Sequence, residues 1–154
     1  MTHPLPLLQQ REIEAGVIAP LIQAFATDVG QDRAREILAG VIHALARQSG
    51  CAAAEAAGGN DLAHLKQVVE KWTAGGALEL DVLRDDSAAF EFNVTRCKFA
   101  EMYRRLGLAD LGPLLSCARD GEMIAGFNPA IAFQRTQTLM EGATHCDFRY
   151  RRSS

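Results

Sequence analysis

Long apolar runs are the first feature that this 154-residue sequence lacks. No stretch approaches the ~20 consecutive apolar residues of a membrane-spanning helix, so a membrane protein is not expected. The first residues, MTHPLPLLQQREIE, contain neither a basic segment nor a long apolar segment, which argues against a secretory signal. These absences predict a cytoplasmic protein whose cysteines are thiols rather than a disulfide framework.

An excess of basic charge is missing as well. The 16 Lys and Arg residues are outnumbered by 19 Asp and Glu residues, so neither nucleic acid nor an anionic membrane surface is favoured as a partner. There is no CxxC pair, which weakens a structural zinc interpretation. No repeat or linker divides the chain, and its length suffices for one hydrophobic core, so residues 1–154 are predicted to form a single domain.

Apolar residues at helical spacing predict three helices in the N-terminal half. Pro20 is expected to kink or restart the first helix, and Gly30 to end it. Asn60 or Asp61 is expected to cap the third. These apolar stripes could form a dimer interface as well as a core, so the sequence leaves open whether the protein is a homo-oligomer. The apolar stripes are Ile13–Phe25, Ala34–Leu45 and Leu62–Trp72.

Alternating apolar and polar residues predict strands in the second half. Thr95 is expected to cap a helix that Gly107 ends, while Gly121 and Gly126 read as turn glycines. Strands separated by short turns need no crossover helix. The sequence therefore predicts an α+β fold, with a helical N-terminal half packed on a small antiparallel sheet and additional helices between strand pairs. The predicted strands are 78–82, 90–94, Ala130–Met140 and Cys146–Arg151, with a short helix over Leu111–Cys117.

The cysteines of the C-terminal half have polar neighbours. Cys117 is closely followed by Asp120, and Cys146 lies between His145 and Asp147. Because successive residues of a strand point to opposite faces, His145 cannot simply be the base for Cys146. Inert buried cysteines outnumber reactive ones, so the structural interpretation of each thiol weighs against the catalytic one.

Arg135 stands on the apolar face of its predicted strand. A buried guanidinium must be paired, because an unpaired buried charge costs several kcal/mol. One interpretation is that Arg135 binds a substrate carboxylate through a bidentate contact. The other is an internal ion pair with Glu141, Asp147 or Asp120, and the sequence does not separate the two.

Four motifs in order carry a family resemblance: NVTRC, LLSCxRD, RTxTxMEG and HCDFRY. With them, the segment from Phe92 to Tyr150 resembles the L-2-amino-thiazoline-4-carboxylic acid hydrolase family. The helical N-terminal half is compatible with that family but carries little of its signature. The resemblance implies that water adds to C2 of an aminothiazoline carboxylate and that a ring C–N bond is cleaved, giving a carbamoyl-cysteine.

That activity needs a nucleophile or activated water, proton transfer to the leaving nitrogen, and a cation for the carboxylate. The preferred route is a metal-free attack by a thiolate, with no cofactor; the alternative is zinc bound by Cys117, Cys146 and His145. The substrate expected is a small molecule bearing a carboxylate. The catalytic candidates are Cys117, Cys146, His145, Asp120 and Asp147, and the substrate-binding candidates are Arg135, Arg96, Asn93 and Thr136.

A second hypothesis belongs to another class of protein. The C-terminal half also loosely resembles 4-vinyl reductase-type small-molecule-binding domains, in which the pocket would bind a ligand without turnover. A non-catalytic accessory protein is a third hypothesis. Convergence of Cys117, Cys146, His145 and Arg135 on one pocket, with a lowered thiol pKa, would favour the enzyme. Scattered buried thiols would favour a binding or structural domain.

Overall fold

The computed structural model describes residues 4–153, so the ends of the predicted 1–154 domain lie outside the described residues. The fold is α+β with a four-stranded antiparallel sheet, as predicted. The helices are α1 (Leu7–Val29), α2 (Gln31–Ala57), α3 (Leu62–Trp72), α4 (Lys98–Arg105) and α5 (Arg119–Phe127). The strands are β1 (Leu78–Asp85), β2 (Ala89–Cys97), β3 (Ile131–Gln134) and β4 (Cys146–Arg152). Short 3₁₀ turns span Ala74–Gly76 and Leu139–Glu141, and a π-helical turn spans Pro113–Cys117.

The first three helices follow the predicted stripes. Gly30 ends α1 with φ +85°, a conformation that favours glycine, and its N–H bonds Ala26 O at 3.0 Å. Asp61 caps α3 by accepting a hydrogen bond from the His64 N–H at 3.0 Å. Helix α1 continues through Pro20, so the helix does not restart there. None of the helices within residues 4–153 has both the length and the apolar content to cross a membrane.

The sheet has the strand order β1-β2-β4-β3. Phe92 of β2 is paired with Phe148 of β4, and their rings stack with centroids 4.9 Å apart. Phe133 of β3 stacks on Tyr150 of β4, also at 4.9 Å. These aromatic side chains share one core cluster with buried residues of α3 and α5. One face of the sheet is therefore covered by helices.

Two glycines let α2 and α5 cross closely. A Cβ on Gly50 would lie 2.0 Å from Met123 O, and a Cβ on Gly126 would lie 2.0 Å from Arg47 O. Both distances are far below van der Waals contact, so any larger residue would push the helices apart. The prediction that Gly121 and Gly126 are turn glycines is wrong, because both lie within α5.

Strand β3 is shorter than the predicted strand Ala130–Met140, because it ends at Gln134. The backbone N–H groups of Thr136 and Gln137 donate to Asp147 Oδ1 at 2.8 and 2.9 Å instead of joining the ladder. A carboxylate that accepts backbone hydrogen bonds in this way offers the chain an alternative to strand pairing. The segment after Gln134 therefore turns away from the sheet.

The cap of α4 also differs from the prediction. Thr95 remains in β2, where its hydroxyl donates to Glu79 O of β1 at 3.3 Å. The pairing of β1 with β2 extends to Leu78 opposite Cys97. Strand β2 is therefore two residues longer than a helix cap at Thr95 would allow. Cys97 is the N-cap instead, its Sγ accepting the Ala100 N–H at 3.4 Å.

Candidate functional site

A cavity of about 410 Å³ lies where the N-terminal helices, α5 and the sheet meet. Its apolar walls include Trp72, Val94, Met123 and Phe148. Pockets for small ligands have volumes of about 300–1,000 Å³ and are mostly apolar with a few polar groups. The cavity is therefore of a size to enclose a small molecule.

Three thiols line this cavity. Cys97 comes from the end of β2, Cys117 from the turn before α5 and Cys146 from the start of β4. Cys146 Sγ accepts the Leu139 N–H at 3.2 Å. Cys51 is exposed on α2 and does not belong to the lining. The two predicted nucleophiles thus share one cavity with a third thiol.

Burial raises the pKa of all three cavity thiols. The pKa of Cys146 rises to about 11. The negative charge of Asp120 adds to the effect of burial on the pKa of Cys117. All three thiols are therefore protonated at neutral pH, in contrast to the low-pKa thiolate of an activated cysteine.

Arg135 and Asp120 form an ion pair at the cavity wall. Arg135 Nη1 bonds Asp120 Oδ2, and Nη2 donates to Cys117 O at 3.1 Å. The guanidinium carbon lies 5.3 Å from the centre of the Phe148 ring and 5.7 Å from that of Phe133. The structure thus provides one of the internal ion pairs considered for Arg135 from the sequence.

Within this ion pair, burial and the charge of the partner have opposing effects on the pKa of each residue. Burial raises the pKa of Asp120 to about 6, although the charge of Arg135 acts to lower it. Burial alone would lower the pKa of Arg135, but the charge of Asp120 raises it. A carboxyl group with a pKa near neutrality can both accept and donate a proton at physiological pH.

The other predicted site residues are absent from the described lining of the cavity. Asp147 instead holds the backbone of residues 136 and 137, and hydrogen bonds there lower its pKa although partial burial opposes this. Asn93 Oδ1 accepts a hydrogen bond from Arg149 at 2.9 Å within the sheet. The predicted site residues that do not belong to the cavity lining are His145, Asp147, Arg96, Asn93 and Thr136.

His145 and Arg96 have partners away from the cavity. The ring of His145 lies 3.0 Å from Thr144 Oγ1, and His145 directly precedes β4 without belonging to the cavity lining. Arg96 is half-exposed and pairs with Glu101 at 3.0 Å. Within residues 4–153, no group of three or more His, Cys, Asp or Glu side chains could hold a metal ion. The zinc arrangement with His145 is therefore not assembled.

Sequence reasoning missed a second charged cluster in the cavity. Arg11 and Glu14 of α1 and Arg119 of α5 all belong to its lining. Arg11 Nη1 lies 3.0 Å from Glu14 Oε2, and Arg119 Nη2 lies 3.3 Å from the same oxygen. An Arg and a Glu three residues apart are typical of a solvated helix surface, so the sequence carries no signal for Arg11 and Glu14, whereas Arg119 stands in the motif LLSCxRD.

Together these features define an α+β domain with an internal cavity of small-molecule size, lined by thiols and paired charges. The chain belongs to the L-2-amino-thiazoline-4-carboxylic acid hydrolase family, whose sequence profile matches residues 10–150. The match extends the resemblance from the C-terminal half to nearly the whole chain. No curated protein matches the chain.

Among solved structures, the chain is similar to the phenol-responsive sensory domain of the transcription activator PoxR, determined with phenol. The TM-score is 0.56 at 18% sequence identity, and the match covers 90% of this chain and 73% of that one. At this level of identity the likeness shows a shared fold. The same architecture thus occurs in a domain described as sensory.

Proposed function

We propose that the cavity is the active site of a hydrolase that opens a small cyclic amidine bearing a carboxylate. L-2-amino-thiazoline-4-carboxylate is the first substrate to test, because the chain belongs to the family named for it. The observation that carries the proposal is Asp120, whose pKa is about 6 and which lines the cavity. It can exchange protons at the pH where the reaction must run.

In the proposed reaction, the oxygen of a water molecule attacks the amidine carbon while its proton passes to the carboxylate of Asp120. Asp120 passes this proton to the ring nitrogen. The ring C–N bond then breaks as the second proton of the attacking water also moves to that nitrogen, which leaves as an amine while the carbonyl group of the product forms. Arg135 fixes the carboxylate of Asp120 and favours its ionised form. The apolar walls exclude other water from the reacting ring. Asp147 positions the segment that follows Arg135. His145 lies outside the cavity lining. Neither Asp147 nor His145 is therefore assigned a step.

A thiol route competes with direct attack by water. Cys117 Sγ would attack the amidine carbon, and its proton would pass through Asp120 to the ring nitrogen as the ring C–N bond breaks. Water would then hydrolyse the isothiouronium-like adduct and release the Cys117 thiol. Burial raises the pKa of Cys117, so loss of that proton is costly and we favour direct attack by water. If water attacks directly, we expect Cys117→Ala and Cys146→Ala to keep kcat within about tenfold of the unmodified protein. If either thiol is the covalent nucleophile, its removal lowers kcat by several orders of magnitude.

The decisive experiment measures turnover of L-2-amino-thiazoline-4-carboxylate by the purified protein, with and without a chelator. Release of a primary amine reports cleavage of the ring C–N bond, whereas release of a thiol would report C–S cleavage. We expect Asp120→Asn to lower kcat by about 100-fold or more, in keeping with loss of general acid–base catalysis. Asp110→Asn is the matched control, since Asp110 is exposed and paired with Arg35 at 2.7 Å. Absence of turnover with this and related cyclic amidines would contradict the proposal.

Ligand binding without turnover is the second candidate function. Protonated, buried thiols and the fold shared with a phenol-responsive sensory domain favour it. Trp72 and Phe148 could pack against an aromatic ligand. Calorimetric titration with phenol and with the aminothiazoline carboxylate separates the candidates, because saturable binding without product supports this one and turnover refutes it.

A further inference from the structure

The charges that line the cavity do not cancel. Three guanidinium groups and two carboxylates belong to its lining. Arg135 and Asp120 form one ion pair. Arg11 and Arg119 share the remaining carboxylate, that of Glu14, at 3.0 and 3.3 Å. The cluster Arg11–Glu14–Arg119 therefore has one positive charge in excess.

Both arginines of this cluster are largely removed from water. The side chains of Arg11 and Arg119 are 13% and 11% exposed, whereas that of Glu14 is 39% exposed. Arg119 Nε donates to Leu115 O at 2.6 Å, which fixes the guanidinium in place. Burial, followed by the charge of Arg11, lowers the pKa of Arg119. A second carboxylate at this cluster would relieve the repulsion between the two guanidinium groups.

The position of the cluster relative to Asp120 suits a small substrate. Arg119 and Asp120 are consecutive residues of the first turn of α5, and both line the same cavity. Arg135 is a poorer recipient for a substrate anion, because Asp120 already neutralises it. The charges of Arg11 and Arg119 both act to lower the pKa of Asp120, so the cluster lies near enough to Asp120 for one small ring to contact both.

We infer that the Arg11–Glu14–Arg119 cluster is a carboxylate-binding subsite, which orients a carboxylated ring so that its other end meets Asp120. This inference rests on the proposed function for the identity of the substrate, but not for the existence of the subsite. It assigns substrate recognition to Arg119 of α5, which stands in the motif LLSCxRD, and to α1, which no sequence motif marks.

Two partial analogues of the substrate test the subsite by calorimetry. Thiazolidine-4-carboxylate has the carboxylate without the amidine, and 2-amino-2-thiazoline has the amidine without the carboxylate. We expect Arg119→Gln and Arg11→Gln each to weaken binding of the first probe by about 10- to 100-fold, as for loss of a charge-assisted hydrogen bond. Affinity for the second probe should change less than twofold. The affinity of Arg119→Lys for the first probe should lie between that of Arg119→Gln and that of the unmodified protein, because lysine keeps the positive charge but lacks the paired N–H donors of the guanidinium.

Arg105→Gln is the matched control. Arg105 contacts α1 through Glu12 at 2.7 Å, it is exposed, and it does not belong to the cavity lining. It tests whether a lost contact with α1 alone weakens binding, and we expect no change. Thermal unfolding of every variant verifies folding, and Arg11→Gln keeps the test valid if the more buried Arg119 variants unfold.

The possible outcomes separate this inference from the proposed function. If the carboxylated probe binds with this dependence on Arg11 and Arg119 but no cyclic amidine is hydrolysed, the subsite stands and the hydrolase proposal fails. Failure of thiazolidine-4-carboxylate to bind the unmodified protein would overturn the subsite. Equal loss of affinity for both probes would also overturn it, as would a loss seen only with Arg135→Gln.

Discussion

At the scale of single residues, burial and hydrogen bonding drive the pKa values of two aspartates in opposite directions. Burial raises the pKa of Asp120 to about 6. Asp86, exposed in the β1–β2 turn, has its pKa lowered to about 2 by hydrogen bonds from Arg84 and from backbone N–H groups. The same chemical group therefore has a pKa near neutrality in the cavity and remains an anion at neutral pH at the surface.

The raised pKa of Asp120 predicts the direction in which the stability of the protein changes with pH, and this direction can be measured. Its ordinary pKa is 3.8 and its pKa in the folded protein is about 6, so between these values the folded state binds a proton that the unfolded state has lost. The free energy of unfolding contributed by this group therefore falls as pH rises through that window. In urea unfolding at pH 4 to 7, the stability of the unmodified protein minus that of Asp120→Asn should decrease with pH. Parallel stability curves would contradict the assignment.

Two tyrosines provide a matched pair. Among the buried side-chain polar atoms of residues 4–153, the Tyr150 hydroxyl has no hydrogen-bond partner, whereas the Tyr103 hydroxyl lies 2.8 Å from Ser116 Oγ. We expect Tyr150→Phe to leave stability unchanged or raise it by about 1 kcal/mol, and Tyr103→Phe to lower it by about 1 kcal/mol. Denaturant unfolding of both variants measures the contrast. A clear loss with Tyr150→Phe would show that its hydroxyl has a partner in solution.

At the scale of secondary structure elements, the crossing of α2 and α5 fixes one wall of the cavity. Arg119 and Asp120 lie in the first turn of α5, directly after the turn that carries Cys117, and Met123 follows on the same helix. The close approach at Gly50 and Gly126 holds this helix against α2. The placement of the proposed proton carrier thus depends on two residues that have no side chain.

Alanine substitution of helical glycines tests this crossing. Gly126→Ala or Gly50→Ala would place a Cβ 2.0 Å from a backbone oxygen of the partner helix, so we expect a loss of about 1–3 kcal/mol in the free energy of unfolding. Gly40→Ala is the control, because no heavy atom lies within 4 Å of its Cβ position on the same helix α2. It should gain about 0.5–1 kcal/mol from better helix propensity. Equal effects at all three positions in thermal or urea unfolding would contradict the close crossing.

The elements that the sequence predicted well are those governed by local patterns. The stripe Leu62–Trp72 and the strand Cys146–Arg151 were placed within one residue of their observed bounds, because periodicity and capping are local signals. Helix α5 and the end of β3 depend on remote partners instead, namely the backbone of α2 and the carboxylate of Asp147. The thiols and Arg135 could be singled out by their chemistry, but the contribution of α1 to the site arises only from tertiary packing.

At the scale of the whole molecule, the long helices leave apolar side chains in solvent. On α1 and on α2 these residues recur every fourth position and so form ridges along the helix surface. Ridges of this spacing interdigitate in the commonest class of helix packing. A second copy of the chain offers the same ridges in complementary form. The exposed residues are Ile13, Val17, Leu21, Phe25 and Val29 on α1, and Ile37, Val41 and Leu45 on α2.

We expect the protein to form a homodimer through these ridges, as the sequence had left open. Phe25→Asp, at a side chain that is 57% exposed, should shift the molar mass in light scattering from dimer to monomer. Leu83→Asp is the control, because Leu83 is 51% exposed on β1, away from both helices. A monomer at every accessible concentration of the unmodified protein would contradict this expectation.

The contrast between the exposed Cys51 and the three cavity thiols makes the chain convenient for spectroscopy. Cys51 is an exposed residue, whereas the cavity thiols are half-buried or buried and have raised pKa values, so we expect a maleimide dye to react first at Cys51. Mild labelling would then place one fluorophore on the native sequence without any engineered cysteine. Because Cys51 Sγ lies 3.2 Å from Gly126 O, that fluorophore would report from the junction of α2 and α5.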